Sequence, residues 1–262
     1  MRFGGDTTAF LVEGEQGGRI LLDMGTGART LAGRLRQAEV RRLLVLLSHF
    51  HLDHLLGLPS FPLLYSRGVA VEFAMPGRPG GHTARLLSRV LAQPFWPLQL
   101  DQVAARLRFH DLPKSSARAL RFHGFAVRWA ALHHPSGCWA YRLDESSTGA
   151  SLVFATDVEW PAASESARTR WLAWARTPAP PHALFFDGQY TPEEYDVHRG
   201  WGHSRWTDAL EVGRAIGARR VYLIHHAPDH DDRALAQIEQ KVRAAWAAAR
   251  LVRQGELLTI SA

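Results

Sequence analysis

The residues with the clearest capacity for chemistry lie in one short segment, His49-Phe50-His51-Leu52-Asp53-His54. Three imidazoles and one carboxylate placed so close together are costly to bury unless one partner satisfies them all. A divalent cation does so, because neutral imidazole and carboxylate are natural ligands of such ions. A histidine-rich surface loop is the alternative, but apolar residues stand on both sides of the segment. The segment therefore predicts a metal site.

The elements around this segment decide how it is presented. The apolar run Leu43–Leu47 has the length of a strand that is covered on both faces. The donor loop thus leaves the carboxyl end of a buried strand, where α/β sheets commonly place their sites. A hairpin is expected before it (Thr8–Val12 with Arg19–Asp23), and helices are expected at Trp206–Ile216 and Asp232–Ala249. Strands and helices alternate throughout, which predicts an α/β fold of two sheets flanked by helices in a single domain, residues 1–262.

Composition excludes several classes of protein. A chain of 262 residues that is 46% hydrophobic and 21% charged is not disordered and can bury a sizeable core. The single cysteine, Cys138, excludes an intramolecular disulfide framework and a four-cysteine zinc site. The net charge of +6 comes almost wholly from arginine, which suits an anionic partner but also follows from a GC-rich genome. No run approaches the roughly 18 apolar residues of a membrane helix, and no signal peptide is visible, so a cytoplasmic location without membrane contact is expected.

The donor segment reproduces in full the HxHxDH motif and resembles the metallo-β-lactamase fold superfamily. The resemblance extends over nearly the whole chain and includes the turn Asp23–Gly27. It implies an αββα sandwich of two mixed sheets and a site for two divalent metals. Zinc is favoured, with manganese or iron as alternatives. The implied ligands are His49, His51 and His134 for one metal, Asp53, His54 and His225 for the other, and Asp157 as the bridging carboxylate.

Two of these later ligands have a histidine neighbour. Side chains alternate along an extended segment, so only one residue of each pair is expected to face the metals. His134 is preferred over His133 because it matches the His-Pro step of the family. His225 is preferred over His226 because it is the first polar residue after the strand. Asp157 taken alone could equally be a turn or helix-capping residue.

A second segment, Phe186–Tyr195 followed by Gly200–Ser204, is similar to the ribonuclease Z-like branch of the superfamily. That branch implies a metal-bridging hydroxide as the nucleophile. It also implies that His203 is the acid that protonates the leaving oxygen and that Asp187 orients His203. Asp53 is assigned a catalytic role as well as a ligand role. The alternatives are a solvent-facing residue at a helix start for His203 and a turn residue for Asp187. Four nearby aromatic residues could stack on a nucleobase, although packing is their commoner role: Tyr190, Tyr195, Trp201 and Trp206.

The substrate class follows from what the chain lacks. The transfer-RNA processing members of this branch carry a long basic arm, and the best counterpart here, Met75–Gly81, is too short. A small anionic phosphodiester such as a cyclic nucleotide is therefore the expected substrate. Long nucleic acid is not an expected partner, and a homodimer is expected. The alternatives are a lactone or carboxylic ester hydrolase, an RNA-processing nuclease and, last, a non-catalytic nucleic-acid-binding module.

The N-terminus departs from the family pattern. Relatives have an additional strand before the segment that matches Phe3–Thr8, whereas this sequence starts inside that segment. The first strand of the fold is therefore expected to be missing, unless the start of the sequence is late.

Overall fold

The computed structural model describes residues 2–77, 80–115 and 117–262. Two residues of the segment considered as an arm, Arg78 and Pro79, lie outside the described residues. The chain divides into two compact units. The N-terminal unit comprises Asp6–Ala117 and Arg121–Phe125, and the C-terminal unit comprises Arg118–Leu120, Ala126–Ala262 and the residues before Asp6.

The N-terminal unit is built on a five-stranded sheet with the order β1-β2-β3-β4-β5. The β1–β2 pair is antiparallel and the other three pairs are parallel. The strands are β1 (Phe10–Glu13), β2 (Arg19–Leu22), β3 (Arg42–Leu46), β4 (Ala70–Pro76) and β5 (Arg106–Leu112). β1 forms one edge of this sheet, and residues 2–9 contain no strand.

Burial explains why the second to fourth strands form the centre of this sheet. β3 is buried from Leu43 to Leu46 and β4 is buried throughout, as expected of parallel strands covered on both faces. The described residues of this unit form two helices, α1 (Gly27–Gln37) and α2 (His82–Val90). Three short 3₁₀ segments complete it, at Leu52–His54, Pro62–Tyr65 and Leu100–Gln102.

The second sheet has seven strands in the order β12-β11-β10-β9-β8-β7-β6. Strands β9 to β12 pair in parallel, and β8 pairs with β9 antiparallel. The strands are β6 (Leu120–Phe122), β7 (Phe125–Leu132), β8 (Cys138–Glu145), β9 (Ser151–Ala155), β10 (Ala183–Asp187), β11 (Arg220–Ile224) and β12 (Ala249–Leu251). The helices of the C-terminal unit are α3 (Glu165–Ala175), α4 (Pro192–Tyr195), α5 (Trp206–Ile216) and α6 (Asp232–Ala245), with a 3₁₀ segment at Trp160–Ala162.

The core of the C-terminal unit joins its parallel strands to the helices. Trp160, Trp171 and Phe186 meet edge to face, with ring centroids 5.6–6.1 Å apart. Apolar residues of α5 and α6 complete the same cluster, among them Leu210 and Val242. The carboxyl ends of β9, β10 and β11 are in register, since Phe154, Phe185 and Tyr222 are paired across the three strands.

The predicted fold class is confirmed, since the chain forms two mixed sheets with accompanying helices. One element differs from the sequence prediction. The last helix ends at Ala245, and Ala249–Leu251 forms β12 beside β11. Alanine favours the helix locally, so the strand at Ala249–Leu251 follows from its pairing with β11 and not from residue preference. Within the described part of the chain, no helix has the length and apolar character needed to cross a membrane.

Candidate metal centre

The donors of the N-terminal unit follow β3 directly and are held close together. His49 and His54 are buried, with 1% and 0% of their surface exposed. The ring of His49 lies 4.4 Å from that of His51 and 4.3 Å from that of His54. The 3₁₀ segment Leu52–His54 brings Oδ2 of Asp53 to 3.2 Å from Nε2 of His54. The structure thus gathers all four predicted donors of this unit.

Asp23 organises this donor group although it is not itself a predicted ligand. It follows β2 with a φ of 60°, a left-handed conformation that aspartate tolerates better than most residues. Its carboxylate accepts hydrogen bonds from the Ser48 amide and hydroxyl, both at 2.7 Å, and from Nδ1 of His54 at 2.8 Å. Because the Ser48 hydroxyl donates to Asp23, it accepts from Nδ1 of His49 at 3.0 Å. Both imidazoles therefore carry their proton on Nδ1 and present Nε2 as the electron-pair donor.

The donors of the C-terminal unit also stand where strands end. His134 follows β7, Asp157 follows β9 and His225 follows β11. Oδ1 of Asp157 lies 3.3 Å from Nε2 of His225. Asp157 and His225 have φ angles of 48° and 61°, and such backbone strain is concentrated at functional sites.

The two histidines next to these candidate ligands, His133 and His226, make other contacts. His133 is exposed and its carbonyl accepts a hydrogen bond from the Glu159 amide. Nε2 of His226 lies 3.1 Å from the Val252 carbonyl, and burial lowers the pKa of His226 to about 4. His226 is therefore neutral at pH 7 and donates to that carbonyl. The geometry agrees with the choice of His134 and His225, and the ligand set stays a prediction.

Each predicted histidine ligand of the C-terminal unit has a partner at Nδ1. The ring of His134 donates to the Gly202 carbonyl at 2.9 Å, which leaves its Nε2 as the donor atom. Nδ1 of His225 lies 2.9 Å from Nε2 of buried Gln189, an amide nitrogen that donates. Ligation through Nε2 of His225 requires Nδ1 to donate, and rotation of the Gln189 amide by 180° places its oxygen there to accept that proton.

Asp187 and His203 form a hydrogen-bonded pair beside His225. Oδ2 of Asp187 lies 2.8 Å from Nδ1 of His203 and accepts from the Val158 amide at 3.1 Å. The ring of His203 stacks on that of His225 with centroids 4.8 Å apart and planes inclined by 14°. Donor atoms of Asp187, His203 and His225 lie within 4.8 Å of one another. Since Asp187 is fully buried at the end of β10, it fixes the direction in which His203 presents Nε2.

Glu159 is a buried carboxylate that sequence reasoning missed. Its Oε1 accepts from the Tyr195 hydroxyl at 2.9 Å and the Gly200 amide at 2.7 Å, and its Oε2 accepts from the Gly202 amide at 3.1 Å. Glu159 thereby holds the loop that carries the Gly202 carbonyl and His203. Its one signal in the sequence is an acidic residue two positions after Asp157, which resembles an ordinary turn residue.

Gly202 shows how closely this loop approaches the donors. Its φ is +95°, and a Cβ at this position would lie 2.3 Å from Nδ1 of His134 and 2.6 Å from Cδ of Pro135. Only glycine permits both the backbone conformation and the contact. Ser204 completes the loop: its hydroxyl accepts from the Trp160 amide at 3.1 Å and donates to the Val158 carbonyl.

The donor chemistry fits divalent metal ions. The candidate ligands are His49, His51, Asp53 and His54 in one unit and His134, Asp157 and His225 in the other. Nitrogen and carboxylate oxygen are the ligands of hydrolytic zinc and manganese sites, and a partner at the second ring nitrogen is typical of metal-bound histidine. The chain therefore contains candidate His/Asp metal-binding clusters.

Three solved structures show the same fold at low sequence identity. A diphosphatase from the PhnP family matches with a TM-score of 0.66 at 16% identity, covering 97% of this chain and 85% of its own. Human short-form tRNase Z matches with a TM-score of 0.67 at 15% identity, covering 98% and 93%. Unliganded yeast PDE1 matches with a TM-score of 0.62 at 12% identity, covering 94% and 92%.

The family assignment rests on a match of the sequence itself. Comparison with curated proteins finds no match. The family model described as a beta-lactamase superfamily domain matches residues 18–226, which contain every predicted ligand and the Asp187–His203 pair. This family consists mostly of metal-dependent hydrolases, which agrees with the donor clusters. The chain therefore belongs to the beta-lactamase superfamily and has the metallo-β-lactamase fold.

Proposed function

We propose that this hydrolase is a dinuclear metal-dependent phosphodiesterase that acts on small phosphodiesters such as cyclic nucleotides. The observation that carries the proposal is the Asp187–His203 pair. Cleavage of a phosphodiester requires an acid for the departing alkoxide, and an imidazole held by a carboxylate is suited to that task.

The proposed metal assignment follows the family. In that assignment His49, His51 and His134 would hold one metal, Asp53, His54 and His225 would hold the other, and Asp157 would contribute its carboxylate to both. Zinc is the proposed ion, with manganese or iron as alternatives. The protonation pattern supports this assignment, because Nδ1 of His49, His54 and His134 donates to a protein oxygen and leaves Nε2 for a metal.

The bound metals would supply an activated water and neutralise the charge that develops on the phosphate. The side chains of the protein supply the acid and hold it in position. Nδ1–H of His203 donates to Asp187, so that a proton on Nε2 can pass to the leaving oxygen. Glu159 fixes the loop before His203 through two amides, which limits the positions available to the acid. Asp53 is proposed to act in catalysis as well as in ligation.

The substrate class is supported by the structural relatives and by charge. The similar structures include one named a diphosphatase and one named a tRNase Z, both names of phosphoryl-transfer enzymes, although at 15–16% identity they establish the fold alone. A net charge of +6 favours an anionic substrate. A small substrate is proposed over a long nucleic acid, because the segment compared with a tRNA-gripping arm, Met75–Gly81, is short. A homodimer in the cytoplasm remains a prediction from the sequence.

The test is turnover by the zinc-loaded protein on bis(p-nitrophenyl) phosphate and a panel of cyclic nucleotides, beside a panel of lactones and carboxylic esters. We expect phosphodiester cleavage that falls at least about 100-fold in His203→Ala while bound zinc is retained, since general acids contribute factors of this size. His133→Ala is the matched control. It removes an exposed imidazole next to a proposed ligand and should preserve both turnover and metal content. Ester or lactone cleavage with no phosphodiester cleavage would overturn the proposal.

A further inference from the structure

Exposure separates the aromatic residues that surround the Asp187–His203 pair. Tyr190 and Tyr195 are 5% and 4% exposed, and Trp206 packs against the core of its unit. Trp201, in contrast, is 63% exposed. Of these four residues, Trp201 alone offers a large open aromatic surface.

A chain of ring contacts links Trp201 to His203. The Trp201 indole meets the ring of His198 edge to face, with centroids 4.9 Å apart and planes at 89°. His198 stacks on Tyr190 at 4.4 Å, and Tyr190 meets the ring of His203 edge to face at 6.1 Å. The indole is therefore held by its contact with His198 and lies two residues before the proposed acid.

The backbone around Trp201 is fixed before any ligand binds. The Trp201 amide donates to the His198 carbonyl at 3.0 Å, and Nδ1 of His198 donates to the Glu194 carbonyl at 2.8 Å. The amides on both sides of Trp201, those of Gly200 and Gly202, donate to buried Glu159. A preordered aromatic surface loses little conformational entropy on binding, which favours its use in recognition.

The charged neighbours of Trp201 are already engaged. The Arg199 guanidinium pairs with Asp196 at 3.1 Å and lies 5.7 Å from the ring centroid of Tyr195. The chemistry that this loop offers a ligand is thus stacking by an indole more than charge.

We propose that Trp201 forms a subsite that stacks on the planar base or aryl group of a phosphodiester. The proposal rests on the proposed function and narrows its substrate class to mononucleotides and aryl phosphodiesters. Stacking tolerates any base, since every base has a π face, so the subsite favours aromatic over aliphatic esters without selecting one nucleobase.

Adenosine 5′-monophosphate and ribose 5-phosphate test this subsite, because they share the sugar phosphate and differ at C1, where the nucleotide carries the base and the sugar phosphate a hydroxyl. Their affinities for the zinc-loaded protein are measured by titration calorimetry. We expect wild type to bind the nucleotide roughly 10-fold more tightly than the sugar phosphate, as is usual for one base–aromatic stack. Trp201→Ala should lose this preference with unchanged affinity for ribose 5-phosphate, and Trp201→Phe should keep most of it. Val197→Ala, which truncates a side chain 77% exposed in the same segment, should behave as wild type.

Two results would overturn the subsite: equal affinities for the two ligands in wild type, or a Trp201→Ala protein that weakens both ligands alike. The proposed function fails on a different observation. A protein that prefers the nucleotide but cleaves no phosphodiester keeps the subsite and refutes the reaction, whereas cleavage without base preference refutes the subsite alone.

Discussion

The substitution Glu159→Gln tests whether a buried carboxylate organises the loop of the proposed acid. Glu159 is 2% exposed and accepts hydrogen bonds from Tyr195, Gly200 and Gly202. The amides of Gly200 and Gly202 are donors in any case. The Tyr195 hydroxyl is also a donor at neutral pH, because burial and Glu159 itself raise the pKa of Tyr195 to about 12. A carboxylate can accept all three bonds, whereas a glutamine amide has one accepting oxygen and one donating nitrogen.

The size of the expected destabilisation follows from the more favourable of the two orientations of the glutamine side-chain amide. With its oxygen at the position of Oε1, glutamine keeps the bonds from Tyr195 and Gly200 but turns its NH₂ toward the Gly202 amide. One charge-assisted bond is lost and a buried N–H is left unsatisfied, which together lower the free energy of unfolding by about 1.5–3 kcal/mol. The two remaining hydrogen bonds are weakened as well, because their acceptor is no longer charged. We expect Glu159→Gln to lower the free energy of unfolding by about 2–4 kcal/mol.

The assay is urea unfolding, followed by zinc content and turnover of the folded variant. Glu165→Gln is the matched control. It makes the same change at an exposed position in the first turn of α3 and should fall within about 0.5 kcal/mol of wild type. Tyr195→Phe removes one of the three donors and should cost about 1 kcal/mol.

Equal unfolding free energies for Glu159→Gln and Glu165→Gln would refute the stabilising role of Glu159. A destabilised Glu159→Gln protein with wild-type zinc content and turnover would refute the link from Glu159 through Gly202 to His134 and His203.

Two further predictions concern a glycine and a strand carboxylate. Gly202→Ala should cost more stability than Gly200→Ala and should reduce zinc content in dialysed protein. Both positions have positive φ, but only the Cβ at Gly202 meets His134, whereas nothing lies within 4 Å of one at Gly200, so equal effects would refute the steric argument. Glu72→Gln should lower the free energy of unfolding at pH 7 by about 1–3 kcal/mol, because Glu72 is 3% exposed and binds Arg42 and His110. These partners hold the pKa of Glu72 below its usual value, so its contribution is present above about pH 4.5 and is lost as the pH falls through the lowered pKa. Urea unfolding at pH 7 and pH 3.5 should therefore show a smaller acid-induced loss in Glu72→Gln than in wild type, and parallel losses would contradict this account.

Local sequence predicted those elements whose signals are themselves local. The apolar run before His49 corresponds to β3, and the predicted helix Trp206–Ile216 corresponds to α5 residue for residue. The predicted helix Asp232–Ala249 is confirmed as far as Ala245 and is wrong over its last four residues, because the strand Ala249–Leu251 depends on pairing with β11, a partner distant in the sequence.

The donor types were also readable from the sequence, since His49 to His54 lie together in one segment after one strand. The selection within the later histidine pairs depends on tertiary contacts. The Val252 carbonyl accepts a hydrogen bond from Nε2 of His226. The Gly202 carbonyl accepts one from Nδ1 of His134, which lies 68 residues earlier in the chain. No local pattern encodes either contact.

The sequence by itself determined the chemistry that is available: candidate imidazole and carboxylate ligands after strand ends, a histidine with a carboxylate to orient it, and a fold that can hold both. The tertiary structure decided the arrangement around them. It buried Glu159 beneath the loop and left Trp201 exposed while covering Tyr190. The physical reason is that residue type fixes which bonds a side chain can make, whereas burial and hydrogen-bond partners depend on segments that only folding brings together.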